Sequence, residues 1–266
     1  MALVAETITL QEQAFPAKRT LQTSLGVLDS IIGGFEAGKI SLVDSGSDFV
    51  FHMTSVLCVR HVFDTGGSVV FVDGGNSVDP YAMASLAKRF GMSRLYVLPR
   101  IHVARAFTTY QLATLIIDVV EKKVEETGSG LLVLACLPDL FTDEDVDYDE
   151  AHQLFMRSLR KIKEVTEKHD LVTLVTNAGL SKMNRRRKLR RVLYESVDSV
   201  VRLQHHPRGI EVSVPDKGIR ELFRPVPPNQ ATIDDFADPQ VRIADVDLDV
   251  ELSEIRASAG HQRLPW

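Results

Sequence analysis

Apolar and polar positions along this chain fall into two alternating regimes. Five short apolar runs, Ile40 to Asp44, Ser68 to Asp73, Leu95 to Leu98, Leu131 to Cys136 and Leu171 to Asn177, have the length and β-branched content of strands. Between them, Phe49 to Phe63, Asp79 to Phe90, Thr108 to Glu126 and Tyr148 to His169 repeat apolar residues at helical spacing. Strands that alternate with helices predict a parallel sheet covered on both faces. After Asn177 the pattern changes. Ser199 to Gln204 and Ile210 to Val214 flank "HHPRG", and Ile219 to Phe223 follows "PDKG", which predicts antiparallel strands joined by turns. The pattern as a whole predicts an α/β fold: one domain with a mainly parallel central sheet, helices on both faces and an antiparallel C-terminal extension.

Composition sets the bounds. The chain has 266 residues, 44% hydrophobic and 25% charged, enough for one large α/β domain. Its longest apolar runs fall far short of the ~20 residues a membrane helix needs, so a soluble protein with no membrane partner is expected. The N-terminal "MALVAETITLQEQ" lacks a basic start followed by a long apolar stretch, which points to a cytoplasmic or nucleoid-associated protein. Cys58 and Cys136 show no metal-ligand spacing and are expected to be buried thiols in a reducing compartment. The net charge of −5 hides an uneven distribution. Between Asp234 and Glu254 lie eight acidic residues against one arginine, and residues 225–266 are expected to be a largely disordered acidic tail. Residues 1–20 are too few to form a domain, which leaves 21–224 as the folded core.

"VDSGSDFVFH", Val43 to His52, occupies the place between strand and helix where a phosphate-binding loop would sit, yet it has one glycine and no lysine. The surrounding motifs are "TSLGVLDSIIGGFEAGKISLV" from Thr23, "VVFVDGGNSVDPYAM" from Val69, "IHVARAFTTYQLATLI" from Ile101, and "LVTLVTNAG" from Leu171. In order and spacing they resemble the core domain of the RecA/RadA recombinase superfamily, in particular the RadA paralogues, with the Ile101 segment taken to follow the third strand. The resemblance spans roughly Leu21 to Arg224. It implies a RecA-like P-loop NTPase fold whose loop wraps phosphates with backbone N–H groups while a lysine and a hydroxyl hold charge and Mg²⁺.

Laid over this chain, that pattern puts the first loop glycine on Ser45, the later ones on Asp48 or Phe49 and on Val50, the lysine on Phe51 and the Ser/Thr on His52. The catalytic glutamate falls on Gly75, the Walker B aspartate on Ala135 and the γ-phosphate-sensing glutamine on Ala178. Asp48 would also set a carboxylate beside the triphosphate, repulsive by ~1 kcal/mol or more. The expectation is a degenerate ATPase with no catalytic residues, no cofactor and no metal. The separate helical N-terminal domain of full archaeal recombinases is not expected, and Phe15-Pro16-Ala17-Lys18 does not match their docking linker.

Three further stretches carry chemistry. "SKMNRRRKLRR", Ser181 to Arg191, packs seven cations (Lys182, Arg185, Arg186, Arg187, Lys188, Arg190 and Arg191) into ten positions. The resemblance makes it the second mobile DNA-binding loop, able to engage single-strand phosphates without reading sequence. Its alternatives are a solvated surface or a dock for an acidic partner, including the chain's own tail; Met183, Leu189 and Tyr194 read as packing residues. "TDEDVDYDE", Thr142 to Glu150, fails the EF-hand pattern at Tyr148 and Leu154 and reads as a solvated acidic loop preceding a helix. His205-His206, before Pro207 and Gly209, reads as a hairpin turn rather than a metal pair.

Three function classes follow. The first is a non-catalytic recombinase paralogue that binds single-stranded DNA and a RecA/RadA-type partner in homologous recombination or repair. The second is a structural or regulatory subunit of another RecA-fold assembly, KaiC-like, without DNA binding. The third is an ATPase with a rewired site.

Overall fold

The chain forms one eight-stranded sheet with helices on both faces, seen in a computed structural model that describes residues 19–23, 26–46, 49–178, 187–206 and 209–223. At the entry, β1 (Thr20–Leu21) and β2 (Phe35–Glu36) pair antiparallel, with helix α1 (Gly26–Ile32) between them in sequence. Then come β3 (Lys39–Ser45), α2 (Phe49–Thr65), β4 (Val69–Asp73), α3 (Pro80–Arg89), α4 (Arg94–Val97) and β5 (Ile101–Arg105). Helices α5 (Thr109–Thr114) and α6 (Val120–Thr127) are joined by a wide π turn at Leu115–Val119, followed by β6 (Leu131–Ala135), α7 (Leu137–Phe141) and α8 (Tyr148–Lys168). The chain continues through β7 (Val172–Asn177), α9 (Arg187–Ser196), β8 (Ser199–His206), β9 (Gly209–Val214) and β10 (Ile219–Phe223).

The strand order is β10-β9-β8-β3-β7-β6-β4-β5, with β3 to β8 mutually parallel and β9 antiparallel to both of its neighbours, β8 and β10. Alternation along each strand divides the core in two. Val69 and Phe71 join Leu57, Met83 and Leu86 on one face, while Val70 and Val72 join Leu112, Phe155 and Ile162 on the other. Helix ends are fixed by side chains: Asp79 accepts from Tyr81 N and Ala82 N, with Pro80 in the first turn, and Asp147 accepts from Asp149 N and Glu150 N. Cys58 and Cys136 are both buried free thiols. No helix among the described residues is long and apolar enough to cross a membrane.

Two sequence expectations fail. Leu95 to Leu98 is not a strand: Ser93 Oγ accepts from Leu95 N at 3.2 Å and starts the short helix α4, and Leu95 is 79% exposed. A run of four apolar residues has no period of its own, and Pro99, which cannot donate to a ladder, breaks it. The third strand is instead β5, pairing Val69 with Ile101, so the Ile101 segment contains that strand rather than following it. The second failure is the basic run, read as a loop to Arg191. From Arg187 onward it is helix, because Leu189 and Leu193, one turn apart, are buried in the second core cluster. Residues 1–18, including Phe15 to Lys18, and the acidic tail from 225 lie outside the described residues.

Candidate nucleotide pocket and nucleic-acid interface

Parallel strands end together, so Ser45, Asp73, Ala135 and Asn177 line the carboxyl edge of the sheet, where α/β folds bind ligands. At β3, the positions that the resemblance assigns to the phosphate loop are built for packing. Val50 is fully buried in the first core cluster, and Phe51, at the lysine position, packs against the same cluster. Ser45 is buried at the strand end. His52 Nε2 is shut off from solvent with no hydrogen-bond partner among the described residues; burial, then the charge of Arg89, pushes its pKa down. Asp48 lies outside the described residues.

At β4 and β6 the positions expected to carry catalytic carboxylates close on each other. Asp73, fully buried, accepts from Gly75 N (3.2 Å), Ser77 N (2.9 Å), Ser77 Oγ (3.0 Å) and Val78 N (3.2 Å), and pairs with Arg105 Nε at 3.2 Å. This knits "DGGNSV" into a fixed turn, and Gly74 N donates to the Ala135 carbonyl at 2.9 Å. Cys136, in the left-handed region at φ 53°, turns its side chain onto Gly75. A Cβ on Gly75 would lie 2.6 Å from Cys136 Cβ and closer still to Cys136 Sγ, so no side chain fits there without a shift. Ala135 belongs to the first core cluster and Ala178 packs against it. Beside this turn is a groove of about 580 Å³ whose walls include Gly75, Asn76, Phe107, Asp139, Asp143 and Glu144. Three carboxylates on one groove disfavour a polyphosphate.

The basic run straddles the boundary of what is described. Lys182, Arg185 and Arg186 lie outside the described residues, and Arg187 opens α9. Lys188 Nζ stands 5.8 Å from the centroid of the Tyr148 ring, beside the start of α8 and the exposed acids of residues 143–150. Arg191 pairs with Glu195 at 2.7 Å on the outer face.

Tyr194, read from sequence as a packing residue, does more than pack. Its hydroxyl donates to Asp44 Oδ2, while Asn177 Nδ2 donates to Asp44 Oδ1 at 2.8 Å. The guanidinium carbons of Arg190 and Arg202 each lie 5.3 Å from the Tyr194 ring centroid, and Arg202 Nε donates to the tyrosine oxygen at 3.3 Å. Burial and the bond to Asp44 raise the Tyr194 pKa. Sequence reasoning missed Asp44, Arg202 and the Gly75–Cys136 contact. The signal for Asp44 was a lone carboxylate closing an apolar strand.

Elsewhere, Glu121, Glu125 and His169 lie close enough to share a metal ion. Lys168 already reaches Glu121 at 2.8 Å and Glu125 at 3.1 Å, and Lys161 also pairs with Glu121, so the group is a neutralised ion-pair network at the opposite edge. His205 and His206 close β8, and His206 pairs with Gly209 in the expected hairpin.

The sequence model of the Rad51 family matches residues 19–190. The chain belongs to the Rad51 family. The mainly parallel sheet with antiparallel strands toward the C-terminus is consistent with its RecA-like fold. Similar curated proteins include DNA repair protein RAD51 homolog A of Zea mays, 25% identical over 167 residues, covering 59% of this chain and 49% of that protein. The meiotic recombination protein DMC1/LIM15 homolog of Homo sapiens is 29% identical over 119 residues, covering 42% of this chain and 34% of that one. The mouse homolog is 28% identical over 120 residues. This Rad51-family chain thus spans half or less of the length of these relatives.

Proposed function

We propose that this chain is a non-catalytic Rad51 paralogue, a pseudo-ATPase that binds single-stranded DNA and a RecA-fold partner in homologous recombination or DNA repair. The observation that carries the non-catalytic half is the contact of Gly75 with Cys136: the place of a catalytic carboxylate is filled by a neighbouring side chain. The apolar packing of Val50, Phe51 and Ala135 supports it, since a lysine or aspartate there would be a charge in a core. Nucleotide is therefore neither cofactor nor substrate. The DNA half rests on the cations from Lys182 to Arg191 and on their position. Helix α9 has basic residues and no acid in its first turn, the positive end of its dipole, an arrangement that repels itself unless an anion is present. The names of the relatives, repair and recombination proteins, support the same reading, which places the chain in a cytoplasmic or nucleoid setting.

Calorimetry and oligonucleotide binding test the two halves separately. Mg-ATP at millimolar concentration is expected to give no binding; a Kd tighter than about 100 μM, ~−5.5 kcal/mol, would overturn the first half and favour a rewired ATPase. Single strands are expected to bind in a salt-sensitive, sequence-independent way. Changing Arg186, Arg187 and Arg190 together to Ala should make the log-log salt slope shallower by about 0.7 for each phosphate no longer engaged. A folded triple variant with wild-type affinity and slope would shift the reading to a regulatory subunit that docks a protein. The acidic segment beside Lys188 is the observation favouring that second reading.

A further inference from the structure

Asp44, Asn177 and Arg202 are register partners on three adjacent parallel strands, β3, β7 and β8. They form a row across the carboxyl edge of the sheet. Asn177 is the last residue of β7 before the basic run, and Tyr194 lies on α9 three residues past the run's end, so the two flanks of that run are bonded to one buried carboxylate. Removing Asp44's partners would leave a buried charge uncompensated, so these bonds fix Asn177 and Tyr194 relative to each other.

Both oxygens of Asp44 are engaged, by an amide and a phenol. Two guanidinium groups converge on the same tyrosine ring, each 5.3 Å from its centroid. Arg202 uses Nε on the tyrosine oxygen, and among the described residues no carboxylate lies within ion-pair distance of it. Its two terminal amino groups are therefore available, on a half-buried stem, at the edge from which the basic run departs. The fork geometry of those two amino groups suits phosphate.

We propose that Arg202 is a phosphate contact of the single-strand-binding surface, and that Tyr194 is the positioning residue that holds Arg202 on the Asp44 anchor. This deepens the single-strand reading and rests on it. The surface then extends from the basic run onto strand β8, which that run does not include.

Binding of a fluorescent single-stranded oligonucleotide is measured across a salt series for the full chain, Arg202→Ala, Arg202→Lys and Tyr194→Phe, with thermal melts confirming the fold of each. Arg202→Ala should bind more weakly with a slope shallower by about 0.7, the value of one single-strand phosphate. Arg202→Lys should keep the slope, because the charge remains. Tyr194→Phe retains the ring and both guanidinium groups, so affinity should fall with the slope unchanged, while the thermal melt shows the fold intact. If wild type binds and a folded Arg202→Ala keeps its affinity and slope, the proposal is wrong and the basic run alone carries binding. If Arg202→Ala does not fold, unchanged affinity in Tyr194→Phe overturns the proposal in its place. If wild type does not bind single strands at all, the single-strand reading falls and this proposal with it.

Discussion

Cys136 lies so close to Gly75 that a β-carbon on the glycine would come within 2.6 Å of the cysteine's own Cβ. The contact joins the ends of β4 and β6 and fills the position where the resemblance calls for a catalytic glutamate. Because Cys136 holds a left-handed conformation at φ 53°, unusual for a residue with a side chain, the packing there is imposed by the surrounding structure.

Gly75→Ala should therefore destabilise the fold by about 1–3 kcal/mol, the usual cost of overpacking. Cys136→Gly removes the obstructing side chain and suits the positive φ, so the double variant should recover most of that stability. Urea midpoints of the four proteins measure the coupling. Strictly additive changes would show that Cys136 is not what excludes a side chain at position 75.

Restoring single groups should not restore nucleotide binding. Phe51→Lys places a charge where an aromatic ring packs on the core, while Val50 still occupies the glycine position of the loop. The expected outcome is a lower melting temperature than wild type and no upward shift in 5 mM Mg-ATP for either protein. A ligand-induced shift in Phe51→Lys would mean that the loop keeps a usable phosphate geometry.

Mild acid should weaken the fold through His61. Burial, and then the charge of Arg19, lowers its pKa from the usual 6.5 to about 4. Because the folded state resists the proton, the unfolded chain binds more protons between these values. The stability held by neutral His61 is full above pH 6.5 and is lost as pH falls toward 4, and each tenfold difference in proton affinity between the two states is worth ~1.4 kcal/mol. Denaturant melts from pH 7.5 to 4 should show a smaller decline in His61→Gln than in wild type, each referred to its own stability at pH 7.5. Parallel declines would place the acid sensitivity elsewhere.

Acids near α9 should oppose its contact with DNA. Changing Asp143, Glu144 and Asp145 to their amides leaves the Asp147 cap intact and should tighten single-strand binding at 50 mM salt. The advantage should fade as salt shortens the screening length below ~10 Å. Deleting residues 226–266 should act in the same direction if the acidic tail also competes. Equal affinities at low salt in either comparison would clear that stretch of the role.

Much of the fold was legible because burial imposes a period on the sequence. Runs such as Leu131 to Ala135 are apolar throughout because both faces of the sheet are covered, and α8 buries Ala151, Phe155, Leu159 and Ile162 at the spacing read from the chain. Where the period was too short to exist, at Leu95 to Leu98, a serine cap and a proline decided the local structure. In the basic run, Leu189 read as a packing residue, but its helical pairing with Leu193, beyond the run, went unread among seven cations. The residue types at positions 45 to 52, 75, 135 and 178 were also visible in sequence, and the proposal of a non-catalytic chain starts from them.

What packs around these positions could not be read from the chain. Gly75 and Cys136 are 61 residues apart in sequence, and only the pairing of β4 with β6 brings them into contact. Asp44, Asn177, Tyr194 and Arg202 are scattered over 159 positions, and the register of three parallel strands with one docked helix gathers them around a single carboxylate. Sequence determines which side chains are apolar and which can carry charge or hydrogen bonds. Strand register and helix docking decide which of them meet, because those distances are fixed by long-range packing, which the local pattern of residues does not encode.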